Sequence, residues 1–488
     1  MKWVLLLLLV LTACAPDTIP PILVSSTPQD GAGDIFLAED IRLNFSEAIN
    51  ADSINAATLS LTSEYGGVGT PLGKSSTVQG NTVLIRITTL PSALQSTIAI
   101  ALDGVTDLAG NRAKPIVIRF ATQAWLRLGS NINASPADSP PSLGMAGDTP
   151  IMAWLETGSQ LAKQVLVKRL NGNTWEQLGN SLNINTARDA SVAPVLAANT
   201  QNLVVAWAET NGANAQLFIK RWNGNTWQLV QDPAYPANIN VLPTRHVSHI
   251  ALALDNNGQP VVAFSEQDTP SSENTVYVKR WTGSAWVQVG GTYLDQNPNA
   301  DAISPSLVIN SQNQPVVVWS ENQSLVVKRF DGTNWVRLEG TSINIYRAYQ
   351  PKIARDSSDG YYLAWKEDIS SAPTLDNTNI YVRRWDGNNW VAMGGQLNIL
   401  AGGTDPNIQI FNDVPTVSMR EYDASRSRIL VRRFNGSIWA AFPVLATTRF
   451  ISFISTGSLA LSTTGIPRLG YIDTLNAALG AVRLNEIR

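Results

Sequence analysis

A motif that returns seven times after residue 124 constrains the fold of this chain more than any other feature. Its copies are spaced by roughly 49 to 59 residues. Six of them contain an apolar strand with an acidic end, a second strand ending in a basic pair, a Gly-containing turn and a Trp, as in the copy from Pro315 to Trp335. A repeat of this length is typical of a β-propeller blade or a similar repeat unit.

Aligning the copies gives columns of equivalent residues. The Trp after the turn is Trp125, Trp175, Trp227, Trp286, Trp335, Trp390 or Trp439. The acid at the end of the second strand is Glu156, Glu209, Glu266, Glu321, Glu367, Glu421 or Asp473. The third strand carries Arg169, Arg221, Arg280, Arg329, Arg384, Arg433 or Arg483. Because Arg binds carboxylates well in confined settings, we expect a structural ion pair in every blade. Equivalent ligand pockets between the blades are the alternative.

The position of Trp125 predicts how the ring closes. Neither a turn nor a basic strand precedes this Trp, whereas the last copy ends without a Trp. We therefore expect residues 125–129 to form the outer strand of the last blade, because a shared blade removes an open sheet edge. Residues 124–488 are thus predicted to be a seven-bladed β-propeller. Its fourth complete blade is predicted to have strands at 305–310, 315–321, 324–330 and 335–338.

Residues 19–123 alternate short apolar strands with clusters of turn residues. Strands are predicted at 22–26, 40–45, 58–62, 82–88, 96–102 and 116–121. The phrases Pro20-Pro21, Phe45-Ser46-Glu47 and residues 105–111 resemble the bacterial Ig-like domain first described in S-layer proteins. That resemblance implies a β-sandwich that serves as a spacer. The expected fold class is therefore all-β, an Ig-like sandwich followed by the propeller.

The N-terminus combines Lys2, an apolar stretch over residues 3–11 and the sequence Leu11-Thr12-Ala13-Cys14. It resembles a bacterial lipoprotein signal with its lipobox, which implies removal of residues 1–13, acylation of Cys14 and a short linker over residues 14–18. The apolar stretch is too short to span a bilayer as a helix. A plain secretory signal is the alternative. We expect a protein of the cell envelope, held by lipid on a membrane and exposed outside the cytoplasm.

Composition narrows the partners and the cofactors. Charged residues make up 15% of the chain, the net charge is −3 and no basic run stands out, so a nucleic-acid partner is not expected. A membrane reached through the lipid, a glycan and an envelope protein are the expected partners of a monomer. Asp103, Asp107 and Asn111 are expected to form an Asx-stabilised turn and not a calcium site. No metal or other cofactor is expected.

The residues expected to line the central channel argue against an enzyme. The first strands of the blades are predicted at 141–146, 194–198, 249–254, 305–309, 351–355, 406–410 and 457–461, and none of these ranges contains Asp or Glu. These strands therefore lack the two carboxylates that glycoside hydrolysis requires. His246 and His249 would face opposite sides of an extended strand, which disfavours a shared metal. We expect no catalytic residues.

Tyr235, Tyr293, Tyr346 and Tyr349 depart from the repeat and are the candidate ligand-binding residues. They lie between one blade and the next, on the face that also carries the loops between second and third strands. We expect a non-catalytic envelope protein whose propeller binds a glycan, an envelope polymer or a protein on this face. A structural scaffold without a dedicated small ligand is the alternative, and a polysaccharide-active enzyme is the third.

Overall fold

The computed structural model describes most of the chain, in two compact units that divide between residues 123 and 124. The described residues are 16–33, 35, 40–65, 68–88, 97–122, 125–129, 132–135, 137–158, 162–210, 212, 214–231, 239–267, 273–291, 293–297, 299–339, 343–370, 377–423, 427–443, 445–446, 456–473 and 481–487. The predicted signal peptide, Cys14 and Tyr235 lie outside them.

The first unit is a sandwich of two four-stranded antiparallel sheets. Its strands are β1 (Leu23–Thr27), β2 (Ile41–Phe45), β3 (Leu59–Tyr65), β4 (Val68–Pro71), β5 (Lys74–Gln79), β6 (Thr82–Ile87), β7 (Thr97–Leu102) and β8 (Ile116–Ala121), with a 3-10 turn at Ala51–Ser53. The strand orders are β1-β2-β6-β5 and β4-β3-β7-β8. Alternating residues such as Leu43, Phe45 and Ile85 point inward and are buried. All six predicted strands are present, and β4 and β5 add two that are too polar to stand out in the sequence.

The second unit is a seven-bladed propeller. Its strands, in chain order and by blade, are β9 (Trp125–Arg127); β10 (Ser142–Ala146), β11 (Thr149–Thr157), β12 (Lys163–Asn171) and β13 (Thr174–Gln177) in blade 1; β14 (Ala190–Ala198), β15 (Leu203–Thr210), β16 (Ala215–Trp222) and β17 (Trp227–Leu229) in blade 2; β18 (His246–Leu254), β19 (Pro260–Gln267), β20 (Thr275–Trp281) and β21 (Trp286–Gln288) in blade 3; β22 (Ala302–Ile309), β23 (Pro315–Glu321), β24 (Ser324–Phe330) and β25 (Trp335–Arg337) in blade 4; β26 (Arg347–Arg355), β27 (Tyr361–Asp368), β28 (Thr378–Trp385) and β29 (Trp390–Ala392) in blade 5; β30 (Gly402–Phe411), β31 (Val414–Tyr422), β32 (Ser427–Phe434), β33 (Trp439–Ala441) and the short β34 (Leu445–Ala446) in blade 6; and β35 (Thr456–Leu461), β36 (Pro467–Asp473) and β37 (Ala481–Ile487) in blade 7. Blades 5 and 6 also share one parallel bridge, between Thr378 and Gly402.

Each blade is an antiparallel sheet of inner, second, third and outer strands. The second strands are almost wholly buried, as in β19 and β23, because neighbouring blades cover both of their faces. Their sequences are accordingly continuous apolar runs. Val318 of blade 4, for example, belongs to the same buried cluster as Leu363 and Trp365 of blade 5. The core of the propeller therefore lies between blades.

The ring closes as the position of Trp125 predicts. Strand β9 pairs with β37, with Trp125 opposite Ile487, so it is the outer strand of blade 7. Every turn Trp donates its Nε1–H to a backbone carbonyl that follows the outer strand of the preceding blade. Trp125 follows the same rule, because its indole donates to the Pro443 carbonyl at 2.6 Å. Blade 7 in turn contacts blade 1, where Thr463 N–H donates to Asp148 Oδ1 at 2.7 Å.

The inner strands differ from their predicted bounds. In blades 2 to 7 they begin earlier along the chain, and irregular register occurs in the same six blades. In blades 4, 5 and 6 the residue before a proline adopts positive φ at this irregularity, namely Ser304, Gln350 and Asp405. The inner strand of blade 6 therefore includes Asp405, so the prediction that no inner strand contains an acid was wrong.

Candidate ligand-binding site

The segments that join an outer strand to the next inner strand, called links below, are held by the acids of the repeat. These acids accept N–H groups of Ala134 and Ser135, Ile184 and Asn185, Val241, Gln296 and Asn297, Ile345 and Tyr346, or Ile399 and Leu400. Four of them also accept the indole N–H two residues upstream, at 2.7 to 3.4 Å. In four blades, lysines of the third strands also bind the links by donating Nζ–H to link carbonyls.

In the six blades where both residues are described, the predicted ion pairs between the acid and arginine columns do not form, because the two columns lie at opposite ends of the blade. Glu156 stands opposite Gln164, whereas Arg169 stands opposite Ile151. Five positions along a strand separate the two by about 17 Å. The same offset applies to the other complete pairs, Glu209 with Arg221, Glu266 with Arg280, Glu321 with Arg329, Glu367 with Arg384, and Glu421 with Arg433. The acids therefore act on the link face and the arginines on the opposite face.

The arginines stabilise the turns between inner and second strands. Arg221, Arg280 and Arg433 donate to the carbonyls of Gly258, Asn313 and Gly465, each in the turn of the next blade. Others bind carboxylates nearby, as Arg169 does with Glu176 at 3.1 Å. These contacts are structural, but their partners are not the acids of the repeat.

Blade 7 departs further from the prediction. Arg483 faces Tyr471 in the register and so falls outside the arginine column, whose true position in this blade is Glu486. Glu486 pairs with Arg468 of the second strand at 2.5 Å, so in this blade the arginine lies on the second strand and an acid lies on the third. The side chain of Asp473 is not described. The basic residue chosen from the sequence was therefore three positions early.

An amide column in the links was missed in the sequence. Asn133, Asn183, Asn240, Asn344 and Asn398 each accept a backbone N–H of a third strand, and Asp295 occupies this place in the link into blade 4. The amide groups also donate to link carbonyls, as Asn398 does to Leu400 at 2.8 Å. A recurring Asn within the link sequences was the signal that would have revealed it.

The candidate tyrosines do not share one environment. Tyr293 and Tyr346 lie in successive links with 44% and 52% of their surface exposed. Tyr349 lies within β26 and is partly buried opposite Lys366. The loop residue Gln323 accepts the N–H of Ala348, which shows that links and second-to-third loops meet on one face. Tyr293 and Tyr346 are thus available on the predicted face.

A cavity of about 620 Å³ occupies the link end of the central channel. It is lined by the first parts of the seven inner strands, whereas a second space of about 510 Å³ is lined by the later parts of those of blades 1, 2, 3, 6 and 7, rich in Leu. The polar lining includes His249, Gln350, Lys352 and Asp405. This size is that of a small-molecule or sugar-binding site.

The irregular inner strands place hydrogen-bonding groups at this cavity. Gln350 Nε2 donates to Asp405 Oδ1 at 3.0 Å, and Asp405 N–H donates to Gln350 Oε1 at 3.1 Å. Arg420 Nε donates to the other carboxylate oxygen of Asp405 at 3.2 Å. The positive φ at Gln350 and Asp405 accompanies this reciprocal bond between blades 5 and 6.

Basic side chains surround the single carboxylate. Burial lowers the pKa of Lys352, and Asp405 partly offsets that effect. Burial likewise lowers the pKa of Lys366, with Asp405 acting in the opposite direction. Lys352, Lys366 and Arg420 thus bring three cationic groups to Asp405.

The two histidines are held separately. His246 Nδ1 accepts the N–H of Ala215 at 3.1 Å, whereas His249 Nδ1 lies 2.9 Å from Ser248 Oγ and lines the cavity. Burial lowers the pKa of both rings. A register irregularity between Val247 and His249 separates their positions on β18. The two rings therefore have different partners and do not form a shared site.

In the first unit, Asp107 stabilises its own turn. Its Oδ1 accepts the N–H groups of Ala109 and Asn111 at 2.8 Å each, while Asp103 pairs with Arg112. Asp107, Asp17 and Glu47 also place carboxylate oxygens within 4.8 Å of one another. The predicted Asx turn is thus confirmed. Within the described residues, no helix has the length and apolar character needed to cross a bilayer.

Comparison with known proteins identifies the first unit. Residues 17–122 match the family model of the bacterial Ig-like domain, and this segment is such a domain. A search of curated protein sequences found no significant match.

Similar solved structures include a fucose-specific lectin from Aleuria aurantia, with 11% identity, 65% of this chain and 100% of that chain covered, and a TM-score of 0.40. An α-L-arabinanase from Penicillium chrysogenum in complex with arabinobiose has 14% identity, coverage of 75% and 98%, and a TM-score of 0.42. An ulvan lyase has 9% identity, coverage of 74% and 95%, and a TM-score of 0.45.

Proposed function

We propose that the propeller binds a glycan, an envelope polymer or a protein partner on its link face, without catalysis. The observation that carries this proposal is the cavity of about 620 Å³ at the link end of the channel. Its lining combines Gln350, Asp405 and His249 with prolines and other apolar groups. Such a mixture suits a ligand with hydroxyl groups and apolar ring faces.

Exposed aromatic side chains on the same face extend this binding surface. Tyr346 and Tyr293 each keep about half of their surface free, although the Tyr346 N–H is fixed by Glu367 at 2.9 Å. An aromatic ring on a rigid backbone offers contact area with little entropy loss. These two residues therefore remain the candidate contacts outside the cavity.

The residues of the cavity support binding and not glycoside hydrolysis. Hydrolysis of that kind uses two carboxyl groups placed on either side of the scissile bond. Among the described residues that line the cavity, Asp405 is the one acid, and Arg420 and Gln350 already bind it. A search for released reducing or unsaturated ends, after incubation with every polymer that binds, tests this part of the proposal.

The proposal includes a lipid anchor at Cys14 and a location on the cell envelope. The lipobox-like sequence and the bacterial Ig-like domain at residues 17–122 support it. Replacing Cys14 with Ser should release the protein from membranes and abolish incorporation of labelled palmitate. Membrane retention of the Cys14→Ser variant would contradict the lipid as the anchor, and absence of label from the natural chain would contradict lipidation.

Binding is tested with the soluble form that begins at Ala15. We expect signals on a broad glycan array or in a pull-down from envelope extracts, and Tyr346→Ala should weaken the signal by about 5- to 10-fold. Val336→Ala, which removes an exposed side chain from an outer strand, is the matched control. If the array and the pull-down both return nothing, the proposal fails.

A scaffold role is the second candidate, because four links expose apolar side chains. Ile184, Ile345 and Ile399 directly follow the link Asn, and Leu242 lies two positions after it. All four are exposed, with Ile345 reaching 78%. Such a ring suits a protein partner more than a sugar. Capture of one envelope protein that is lost when Ile345 and Ile399 become Ser, with an unreactive glycan array, would favour this role.

A further inference from the structure

The junction of blades 5 and 6 carries more positive charge than its carboxylates neutralise. Lys352, Lys366 and Arg420 surround Asp405, which hydrogen-bonds with Arg420. Asp368, the other nearby acid, is paired with Arg347 at 2.9 Å. This excess stands out in a chain whose net charge is −3.

Lys352 differs from four other half-buried lysines of the propeller. Lys168, Lys220, Lys279 and Lys328 each donate to a link carbonyl at 2.5 to 2.8 Å. Lys352 lines the cavity, and within the described residues its ammonium has neither a hydrogen bond nor a carboxylate within 4.0 Å. A partly desolvated cation without a partner is costly, and burial accordingly lowers its pKa.

The wall that blade 3 contributes to the cavity can accept a hydroxyl group. Ser248 Oγ donates to Asn274 Oδ1 at 2.6 Å, and Asn274 Nδ2 donates to Asp301 at 2.8 Å. Because Ser248 has a single hydroxyl proton, His249 Nδ1 must donate to Ser248 Oγ across their 2.9 Å contact. The neutral ring therefore keeps Nε2 as an acceptor.

We propose that the link end of the central cavity binds an acidic sugar unit, with Lys352 pairing with its carboxylate or sulfate group. His249 and Gln350 accept or donate hydrogen bonds to the hydroxyl groups of the same unit. This inference rests on the proposed glycan-binding function and names the class of glycan. The unpaired ammonium, the single neutralised carboxylate and the cavity of about 620 Å³ together carry it.

Two pairs of polymers that differ in charge test the inference on the full mature chain. Polygalacturonate is compared with its methyl-esterified form, and dextran sulfate with dextran, by titration calorimetry. We expect at least one acidic polymer to bind 10-fold or more tightly than its neutral partner, and more weakly as salt increases. A preference within the polygalacturonate pair indicates a carboxylate, and a preference within the dextran pair indicates a sulfate.

The variant Lys352→Met assigns the effect to this site. We expect it to lose 10-fold or more in affinity for the acidic polymer while the free protein keeps or gains thermal stability, because an unpaired cation is removed. Lys114→Met, at an exposed lysine of the Ig-like domain, changes the net charge equally and should leave affinity unchanged. Lys352→Gln serves if the Met variant does not fold.

The possible results separate this inference from the proposed function. Equal binding of acidic and neutral polymers would overturn the inference and leave glycan binding standing. Charge-dependent binding that survives in Lys352→Met and Lys352→Gln would show that the acidic group of the polymer binds at another site. That result would also overturn the inference. Binding of none of the four polymers would overturn the acidic-glycan inference, whereas the array and the pull-down decide the proposed function.

Discussion

Blades 3 and 5 share one register, but the acid at the end of the second strand has different surroundings in each. In blade 5, Glu367 accepts the Trp365 indole at 2.7 Å and the N–H groups of Ile345 and Tyr346. In blade 3, Phe264 replaces the Trp. Among the described residues of the link, Val241 donates its N–H to Glu266 at 3.0 Å. The second oxygen of Glu266 lies 3.7 Å from Arg245.

The missing indole changes the chemistry of the acid. Burial raises the pKa of Glu266 to about 7, although Val241 and Arg245 both act to lower it. For Glu367, three donors offset the cost of burying the charge. The difference shows that the energetic balance of a repeat acid depends on how many donors its own blade supplies.

The largest effect is expected when the repeat acid of blade 5, Glu367, is removed. Glu367→Ala leaves the indole of Trp365 and two link N–H groups without their acceptor, so we expect the propeller to lose about 3 kcal/mol of unfolding free energy. Denaturant unfolding measures the loss. Glu176→Ala, which breaks an ion pair with Arg169 that is substantially exposed, should cost much less.

Equal losses of unfolding free energy in the two variants would contradict the stabilising role of the buried acid Glu367. A loss confined to Glu367→Ala would confirm that burial and the number of donors, and not charge alone, determine the contribution of a repeat acid. The same variant should also mobilise the link that carries Tyr346, which hydrogen exchange of the link amides would detect.

A second, smaller effect is expected in the link into blade 4, where Asp295 replaces the recurring Asn. Burial raises the pKa of Asp295 to about 7, and its Oδ2 makes no hydrogen bond with described residues. The folded protein then binds a proton that the unfolded chain releases near pH 4, so this acid reduces stability as the pH rises from about 4 to 7. Asp295→Asn should remove that loss and add about 2 kcal/mol at pH 8.

The reverse exchange is the matched control. Asn398 is buried at the equivalent place and donates to Leu400 at 2.8 Å, so Asn398→Asp should make stability fall with rising pH. Thermal unfolding at pH 5 and pH 8 compares the two variants. A gain from Asp295→Asn that is as large at pH 5 as at pH 8 would show that ionisation is not the cause.

Much of the fold could be predicted because it depends on periodic features. Repeat length, apolar strands and the isolated Trp125 predicted the blades and the closing strand, since each reflects backbone pairing between chain neighbours or chain ends. The bounds of inner strands were wrong where irregular register occurs, as at Asp405, because a proline marks the place without revealing that the strand continues before it.

The site was harder to predict because its groups come from different blades. The acid and arginine columns have complementary charges, but the register that puts Glu156 and Arg169 at opposite ends of the blade depends on hairpin length. Lys352 and Asp405 belong to neighbouring blades, and nothing in their local sequences joins them. The tyrosines were identified as departures from the repeat, a criterion that locates exposed residues but not the cavity.

The smallest expected effect comes from restoring the missing donor in blade 3. Phe264→Trp supplies an indole N–H for Glu266 at a position with matching ring geometry, since Trp365 lies 5.9 Å from Tyr381 in blade 5 much as Phe264 lies 6.0 Å from Tyr277. We expect a gain of about 1 kcal/mol at pH 8 and less at pH 5, because the new bond favours the ionised acid. Trp365→Phe should show the opposite pH dependence in the same unfolding assay. If both substitutions destabilise equally at the two pH values, packing and not the hydrogen bond distinguishes the blades.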